Sequence, residues 1–134
     1  MGVIRLILLD THVLAWAGED PNRLSRTAAS EIRRARTRGG LAISAISLWE
    51  LSWLLSRGRI QSGGTIEATI HRMIEGVAVL PITPVIAALA SQFPEDYPRD
   101  PSDRLIGATA RAEGMTLVTR DERIRRSPLI RTVW

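Results

Sequence analysis

The sequence predicts an α/β domain in which a mostly parallel sheet of four or five strands carries helices on both faces. Three observations predict it. Short runs of aliphatic residues alternate with longer segments of helical spacing, the order expected of strand and helix units in a parallel sheet. Those runs are continuously apolar, as strands buried on both faces are. The chain has 134 residues, enough for one substantial core and too few for two, so residues 1–134 are expected to form a single domain.

The first strand is expected from Val3 to Leu9, which places Asp10 at its carboxyl end. A short helix follows from His12 to Gly18. A longer one runs from Ser25, its cap, to Arg38, where Gly39 and Gly40 stop it. Leu41 to Ile43 is a second strand and about Ala45 to Ser56 a helix ended by Gly58. Thr65 to Glu75 carries Ile66, Ile70, Met73 and Ile74 at helical spacing and stops at Gly76. Val77 to Ile82 is the third strand. Pro84, in a permitted first-turn position, opens a helix to Gln92, and 93–99 is a loop. Pro101 to Glu113 is the last long helix and Met115 to Thr119 the fourth strand. A helical turn near Glu122 to Arg125 and an edge strand within Leu129 to Trp134 complete the order.

Composition excludes several chemistries. With no cysteine there are no disulfides, thiolate metal sites or cysteine nucleophiles, and any metal must sit on oxygen or imidazole. All 18 basic residues counted as Lys plus Arg are arginine. The absence of lysine removes phosphate-loop NTPases, Schiff-base enzymes and lysine-dependent phosphotransfer domains. A net charge of +4 and a pI near 11.1 favour an anionic partner such as nucleic acid. Arg5 interrupts the apolar start and no small-residue cleavage site follows, so it is not read as a signal peptide. The weakly charged stretch 41–56 contains Glu50 and falls short of the roughly 20 residues of a membrane helix. A soluble, cytoplasmic protein with no membrane partner is expected.

Four carboxylates stand where capping or solvation is not the whole explanation. Asp10 follows a buried strand, where it either faces a ligand crevice or caps the next helix. Glu50 is the only charge between Leu41 and Ser56. It completes a capping box if the helix begins at Ser47, or lies inside the helix beside Ile46, Trp49 and Trp53 if Ser44 caps it, the start we prefer. Asp100-Pro101-Ser102-Asp103 is a strong helix opening in which Asp100 is the cap and Asp103 is left to point elsewhere. Arg104 is placed to pair locally or reach a phosphate. Asp121 leads off the fourth strand as Asp10 leads off the first, although alone it would be turn chemistry.

A small parallel sheet can bring these four acids to one crevice, where they repel one another unless protons or cations neutralise them. All-oxygen ligation selects hard divalent ions, Mg²⁺ or Mn²⁺, whose chemistry at such a site is phosphodiester hydrolysis. The hydroxyls of Thr11 and Thr119 are candidates to orient water there, with ordinary backbone bonding as the simpler use of each.

These residues resemble a known family. Ile7-Leu8-Leu9-Asp10-Thr11-His12, Ser47-Leu48-Trp49-Glu50-Leu51, the run from Asp100 to Ala110, and Leu117-Val118-Thr119-Arg120-Asp121 are similar to the successive motifs of PIN-domain ribonucleases, specifically VapC-type toxins. The resemblance spans Leu6 to Asp121. It implies a compact three-layer α/β/α domain and Mg²⁺- or Mn²⁺-dependent cleavage of RNA. It also implies a homodimer and inhibition by a cognate VapB-type antitoxin. Carried over residue by residue, the family's acidic quartet falls on Asp10, Glu50, Asp103 and Asp121, with Thr11, Thr119, Asp100 and Arg104 as accessories at most. Ser102 stands where many members have phenylalanine, a change that bears on packing beneath the helix start.

Trp49 and Trp53 are four residues apart and form one helical stripe, for which core packing is the default and docking of an antitoxin or second subunit the alternative. Arg33, Arg34, Arg36 and Arg38 read as a solvated helix end. Arg120 and Arg123, with Arg125 and Arg126, flank Asp121 and have the better claim to phosphates of a bound RNA. His12 and His71 lack metal-ligand spacing and read as structural. A haloacid-dehalogenase-like phosphatase would need an aspartate where His12 stands and a lysine the chain lacks. The remaining rival is a catalytically inactive PIN-fold module that binds RNA or protein, against which four intact acids argue.

Overall fold

Ile7–Leu9 form the central strand, β1, of a five-stranded parallel sheet in the computed structural model, which describes residues 6–61 and 63–134. Residues 3–5 of the expected first strand lie outside the described residues. The other strands are β2 (Leu41–Ser44), β3 (Val77–Leu80), β4 (Thr116–Val118) and β5 (Thr132–Val133), in the spatial order β3-β2-β1-β4-β5. Ile7 faces Leu41 and Thr116 across the sheet, and Leu8 faces Ala42 and Leu117.

Successive side chains of a strand point to opposite faces, and both faces of this sheet are apolar. Ile7, Leu9, Leu41, Ile43 and Val118 pack beneath α1 (Thr11–Glu19), α2 (Arg26–Thr37), α3 (Ile46–Ser56) and α4 (Ile66–Met73). Leu8, Ala42 and Leu117 pack on the other side beneath α5 (Pro84–Ser91), α6 (Pro101–Glu113) and α7 (Glu122–Arg125). This is the three-layer arrangement that the continuous apolar strands imply. Among the described residues no helix is long and apolar enough to cross a membrane.

The helix starts follow the sequence. Ser25, Thr65 and Thr83 each accept the backbone N–H three residues on, and Asp10, Asp100 and Asp121 cap α1, α6 and α7. Gly114 ends α6 in the left-handed region at φ 64°, a conformation that favours glycine. A 3-10 turn at Pro21–Arg23 carries no periodic signal and was not expected.

One expectation about the core is corrected. Trp49 and Trp53 are 63% and 39% exposed, whereas α3 buries Ser47, Leu51, Leu54 and Leu55. At about 100° per residue both indoles stand about 200° round the helix from Leu51, so burying the leucines turns them outward.

The segment between α5 and α6 is fixed by Arg104, in α6's first turn, and by its own Tyr97. Arg104 donates from Nε to the Pro98 carbonyl at 3.0 Å and from its terminal nitrogens to the carbonyls of Ala90, Phe93 and Pro94. These bonds satisfy backbone acceptors that a loop without regular structure would leave unpaired. Arg104 is thus a clamp on its own fold, the local pairing of the two roles open to it. Tyr97, fully buried, stacks on Phe93 at a centroid separation of 4.1 Å and donates its hydroxyl to the Asp103 carbonyl at 3.1 Å.

The ring of Tyr97 lies against Gly107, where an added Cβ would stand 2.2 Å from its hydroxyl oxygen. Gly107→Ala is expected to destabilise the protein by about 1–3 kcal/mol, the usual cost of forced overpacking. Tyr97→Phe in the same chain should recover part of that loss. Equal melting of Gly107→Ala and the parent in chemical denaturation would show that the ring moves aside freely.

Candidate active site

The chain leaves β1 in one direction to build β2 and β3, then returns to add β4 on β1's other side. Ligand sites of open parallel sheets lie beyond the carboxyl ends of strands at such a switch point. Asp10 and Asp121 arrive there from β1 and β4, and the Asp10 amide donates to the Val118 carbonyl at 3.1 Å. Glu50 comes from one turn inside α3 and Asp103 from the first turn of α6. All four line one crevice of ≈ 450 Å³ together with Asp100.

Two hydroxyl chains hold the carboxylates in place. Asp121 N–H donates to Thr119 Oγ1 at 3.1 Å, and Thr119 Oγ1 donates to Asp10 Oδ2 at 2.8 Å. Thr11 Oγ1 donates to Glu50 Oε1 at 2.5 Å and lies 2.8 Å from Ser47 Oγ, which therefore supplies the proton of that second bond. Thr11 and Thr119 are both fully buried; Thr119 accepts a local backbone amide, as expected, and also reaches Asp10, whereas Thr11 spends its hydroxyl on Glu50 and Ser47. Ser47 is engaged with Thr11, so no capping box forms with Glu50. Ser44 Oγ accepts the Ile46 amide at 3.2 Å, but the cap of α3 is Ala45, one residue past the preferred Ser44, and it makes no side-chain capping bond. Glu50 is tied to Thr11 at the start of α1, whereas Trp49 beside it in sequence is exposed.

Asp10 Oδ1 accepts the Thr11 amide at 2.9 Å, so this residue caps α1 and faces the crevice at once. Asp121 does the same, accepting the amides of Arg123 at 2.8 Å and Ile124 at 3.2 Å. Asp100 caps α6 through the Ser102 amide at 2.8 Å. The choice between capping and site duty is thus not exclusive at either strand end.

The electrostatics follow from this crowding. Burial raises the Asp10 carboxyl above its ordinary value, and the Thr119 hydroxyl bond offsets part of the rise. Burial also raises Glu50, against the Thr11 bond and with help from the charges of Asp10 and Asp100. Asp103 moves furthest, from 3.8 to about 7, through burial first and then through Asp10, Asp100, Asp121 and Glu50. Among the described residues the ion pairs are Arg34–Glu31 and His71–Glu67, neither of which touches the crevice.

Several other residues find definite places. Arg120 lines the crevice, whereas Arg123 is exposed outside its lining and meets Asp121 through its backbone. His71 is exposed beside Glu67, but His12, expected to be structural, is exposed on the crevice wall. Trp16 shares that wall. It lies one turn beyond His12 on α1, at a ring separation of 5.9 Å, with Arg120 5.9 Å and Arg23 4.7 Å from its ring. The sequence signal for the pair was their spacing of four from a helix start capped by a site residue.

The donor set is almost wholly carboxylate oxygen, which suits a hard divalent cation. Among the described residues no three His, Asp or Glu side chains form a ready-made cation cage, so the acids share a crevice without converging on one point. The fit is one of chemistry and charge.

Residues 7–128 match the PIN domain family. Ribonuclease VapC22 of Mycobacterium tuberculosis (strain ATCC 25618 / H37Rv) is 43% identical over 130 residues, spanning 96% of this chain and 98% of its own. The solved VapBC2 from Rickettsia felis, bound to a DNA fragment from their promoter, superposes with a TM-score of 0.72 at 17% identity, over 96% of this chain and 97% of that one. DNA-bound VapBC from Salmonella typhimurium gives a TM-score of 0.69 at 21% identity, with the same two shares. At these identities the two structures show likeness of fold.

A carboxyl whose folded value is raised contributes stability below its unfolded value and loses it as pH climbs through the folded one. In chelator, Asp103 should therefore make the protein progressively less stable between pH near 4 and pH near 7. Asp103→Asn is expected to flatten that part of the profile and to melt higher than the parent at pH 7. Coincident melting profiles for the two proteins across this range would show that Asp103 is not strained by its neighbours.

Proposed function

The chain belongs to the PIN-domain family, and on that premise we propose that it is a VapC-type toxin, an endoribonuclease that hydrolyses RNA with Mg²⁺ or Mn²⁺. The observation that carries this reading is the gathering of Asp10, Glu50, Asp103 and Asp121 around one crevice, with no cationic side chain among the described residues paired to any of them. A binding module for RNA gains nothing from such a crevice, whereas a metal-dependent nuclease requires one. The 43% identical relative named a ribonuclease supports the substrate class.

Asp10, Glu50, Asp103 and Asp121 would hold the cation. When bound, it supplies Lewis acidity and neutralises charge that develops on a phosphodiester. In the reaction the oxygen of a water forms a new bond to phosphorus, one ester P–O bond breaks, and the water's proton passes to the leaving oxygen. Asp10 is held for this work through both oxygens, by the Thr11 amide and the Thr119 hydroxyl, and Glu50 through Oε1 by the Thr11 hydroxyl. Asp103, raised to about 7, holds or releases a proton near neutrality and so adjusts the charge of the crevice. Arg120 sets a positive charge at the rim for an adjacent phosphate.

Partners follow from surface and kinship. Trp49, Trp53, Val79, Ile82 and Val85 are large apolar side chains exposed to solvent, as partner-binding surface requires. We assign that surface to a VapB-type antitoxin and a second copy of the chain, with residues 1–134 as one domain acting in the cytoplasm. Co-expression with the product of a neighbouring small open reading frame should yield a stable complex that relieves growth arrest. A product that neither binds nor relieves arrest would remove the toxin role and leave the nuclease role standing.

Purified protein should cleave single-stranded RNA with Mg²⁺ or Mn²⁺ and not in excess chelator. Loss of groups that only orient metal ligands costs about 10–100-fold, so Asp10→Asn, which removes ligand charge, should lower cleavage by more than about 100-fold while the fold is kept. Unchanged cleavage by that variant would reduce Asp10 to a helix cap. Asp100 and Asp103 should separate cleanly. Asp100→Ala is expected to cost about 0.5–2 kcal/mol of stability and leave cleavage by folded protein largely intact. Asp103→Ala should lose cleavage and hold or gain stability in chelator. The reverse pattern would move the third ligand by one helical turn.

A further inference from the structure

A second cleft, of ≈ 630 Å³, opens beside the acidic crevice, and among the described residues its one carboxylate is Glu122, set against two arginines. Arg125, Arg126 and Trp134 line it. The two depressions meet at a pair of indoles. Trp16 is on the wall of the acidic crevice and Trp134 on the wall of the cleft, and their rings contact edge to face at 6.1 Å. Both side chains are only partly buried.

Arginines border this aromatic bridge on both sides. Arg120 stands at the crevice end, and Arg125 and Arg126 lie in the cleft, exposed and, among the described residues, in no ion pair. The chain itself gives the scale. Asp121 is in the crevice and Arg126 closes α7 five residues later, an axial rise of about 7 Å, within reach of phosphates next to one held at the carboxylates. Aromatic faces interleaved with unpaired arginines along a groove are what single-stranded nucleic acid requires, because every base has a face to stack and every phosphate a charge to meet.

We propose that single-stranded RNA leaves the acidic crevice over Trp16 and Trp134 and enters the Arg125/Arg126 cleft, so that these residues bind the nucleotides flanking the scissile phosphate. This rests on the ribonuclease reading above and extends it to a substrate path. The path selects single strands, since a base paired in a duplex has no free face to offer the indoles.

The test is equilibrium binding of labelled single-stranded RNA by intact protein in chelator, where cleavage does not interfere, measured at several salt concentrations. Two oligonucleotides are compared, a short one and one several nucleotides longer. Arg125→Gln with Arg126→Gln should weaken binding of the longer RNA by about tenfold or more and reduce the slope of log affinity against log salt by about 1.4, two contacts at about 0.7 each. The binding advantage of the longer RNA over the shorter should shrink. Removing the same charge from α2, with Arg33→Gln and Arg36→Gln, should leave that advantage in place. Trp16→Leu should weaken binding by about tenfold, with Trp16→Phe close to the parent, and a thermal melt of each variant separates lost stacking from lost folding.

If the parent binds and cleaves RNA but the double arginine variant keeps the full salt slope and length advantage, the path is wrong and the nuclease reading stands. If that variant keeps its RNA affinity and loses the antitoxin instead, the cleft is a protein-docking surface and the path is again overturned. A parent that neither binds nor cleaves RNA would overturn both.

Discussion

Carboxylates buried beside other carboxylates need a physical reason, because each is held out of water and each raises the cost of ionising the next. At the carboxyl ends of β1 and β4 that cost is visible in Asp10, Glu50 and Asp103, all raised, with Asp103 brought to about 7. Much of the surrounding structure serves to keep the group together. The central strands are only three residues long, but they place Asp10 and Asp121 side by side. Thr119 and Thr11 then tie these ends to each other and to α3 with buried hydroxyls.

Rigidity on the far side of the sheet serves the same end. Arg104 and Tyr97 fix the segment before α6 and thereby the height at which Asp103 enters the crevice. Gly107 is part of this arrangement, since the Tyr97 ring occupies the space a side chain would take. A residue of the acidic motif's neighbourhood therefore acts on the site through packing, and Arg104, for which the sequence leaves local pairing and a phosphate both open, acts the same way.

Most of the fold could be read from local chemistry. The strands came from continuous apolar runs such as that at Leu41, the parallel sheet from their alternation with helices, and helix limits from Ser25, Thr65, Asp100 and Gly114, which act within a few residues of themselves. The strand order had no such local signal. Asp10 could be read for the same reason, since a carboxylate immediately after a buried strand has few places to point, whereas Glu50 and Asp103 stood out as acids left over once helix capping was assigned. What escaped were features set by rotation and tertiary contact. The outward turn of Trp49 and Trp53 depends on which face of α3 the sheet claims, and two indoles at helical spacing do not reveal it. The hydroxyl bonds from Thr119 to Asp10 and from Thr11 to Glu50 join residues 109 and 39 positions apart, beyond any spacing rule. His12 and Trp16 were passed over because each, taken singly, is an ordinary helix residue, and only the crevice wall puts them in one place.

These carboxylates act as one electrostatic unit in which Asp103 holds a proton near neutrality until a divalent cation takes its place. Calorimetric titration of the metal-free protein with Mn²⁺ near pH 6.5, repeated in buffers of different ionisation enthalpy, measures this directly, since the buffer dependence of the heat reports protons released on binding. Net proton release is expected for the parent, and markedly less for Asp103→Asn at the same pH. Binding without proton release, or no binding at concentrations that support RNA cleavage, would contradict it.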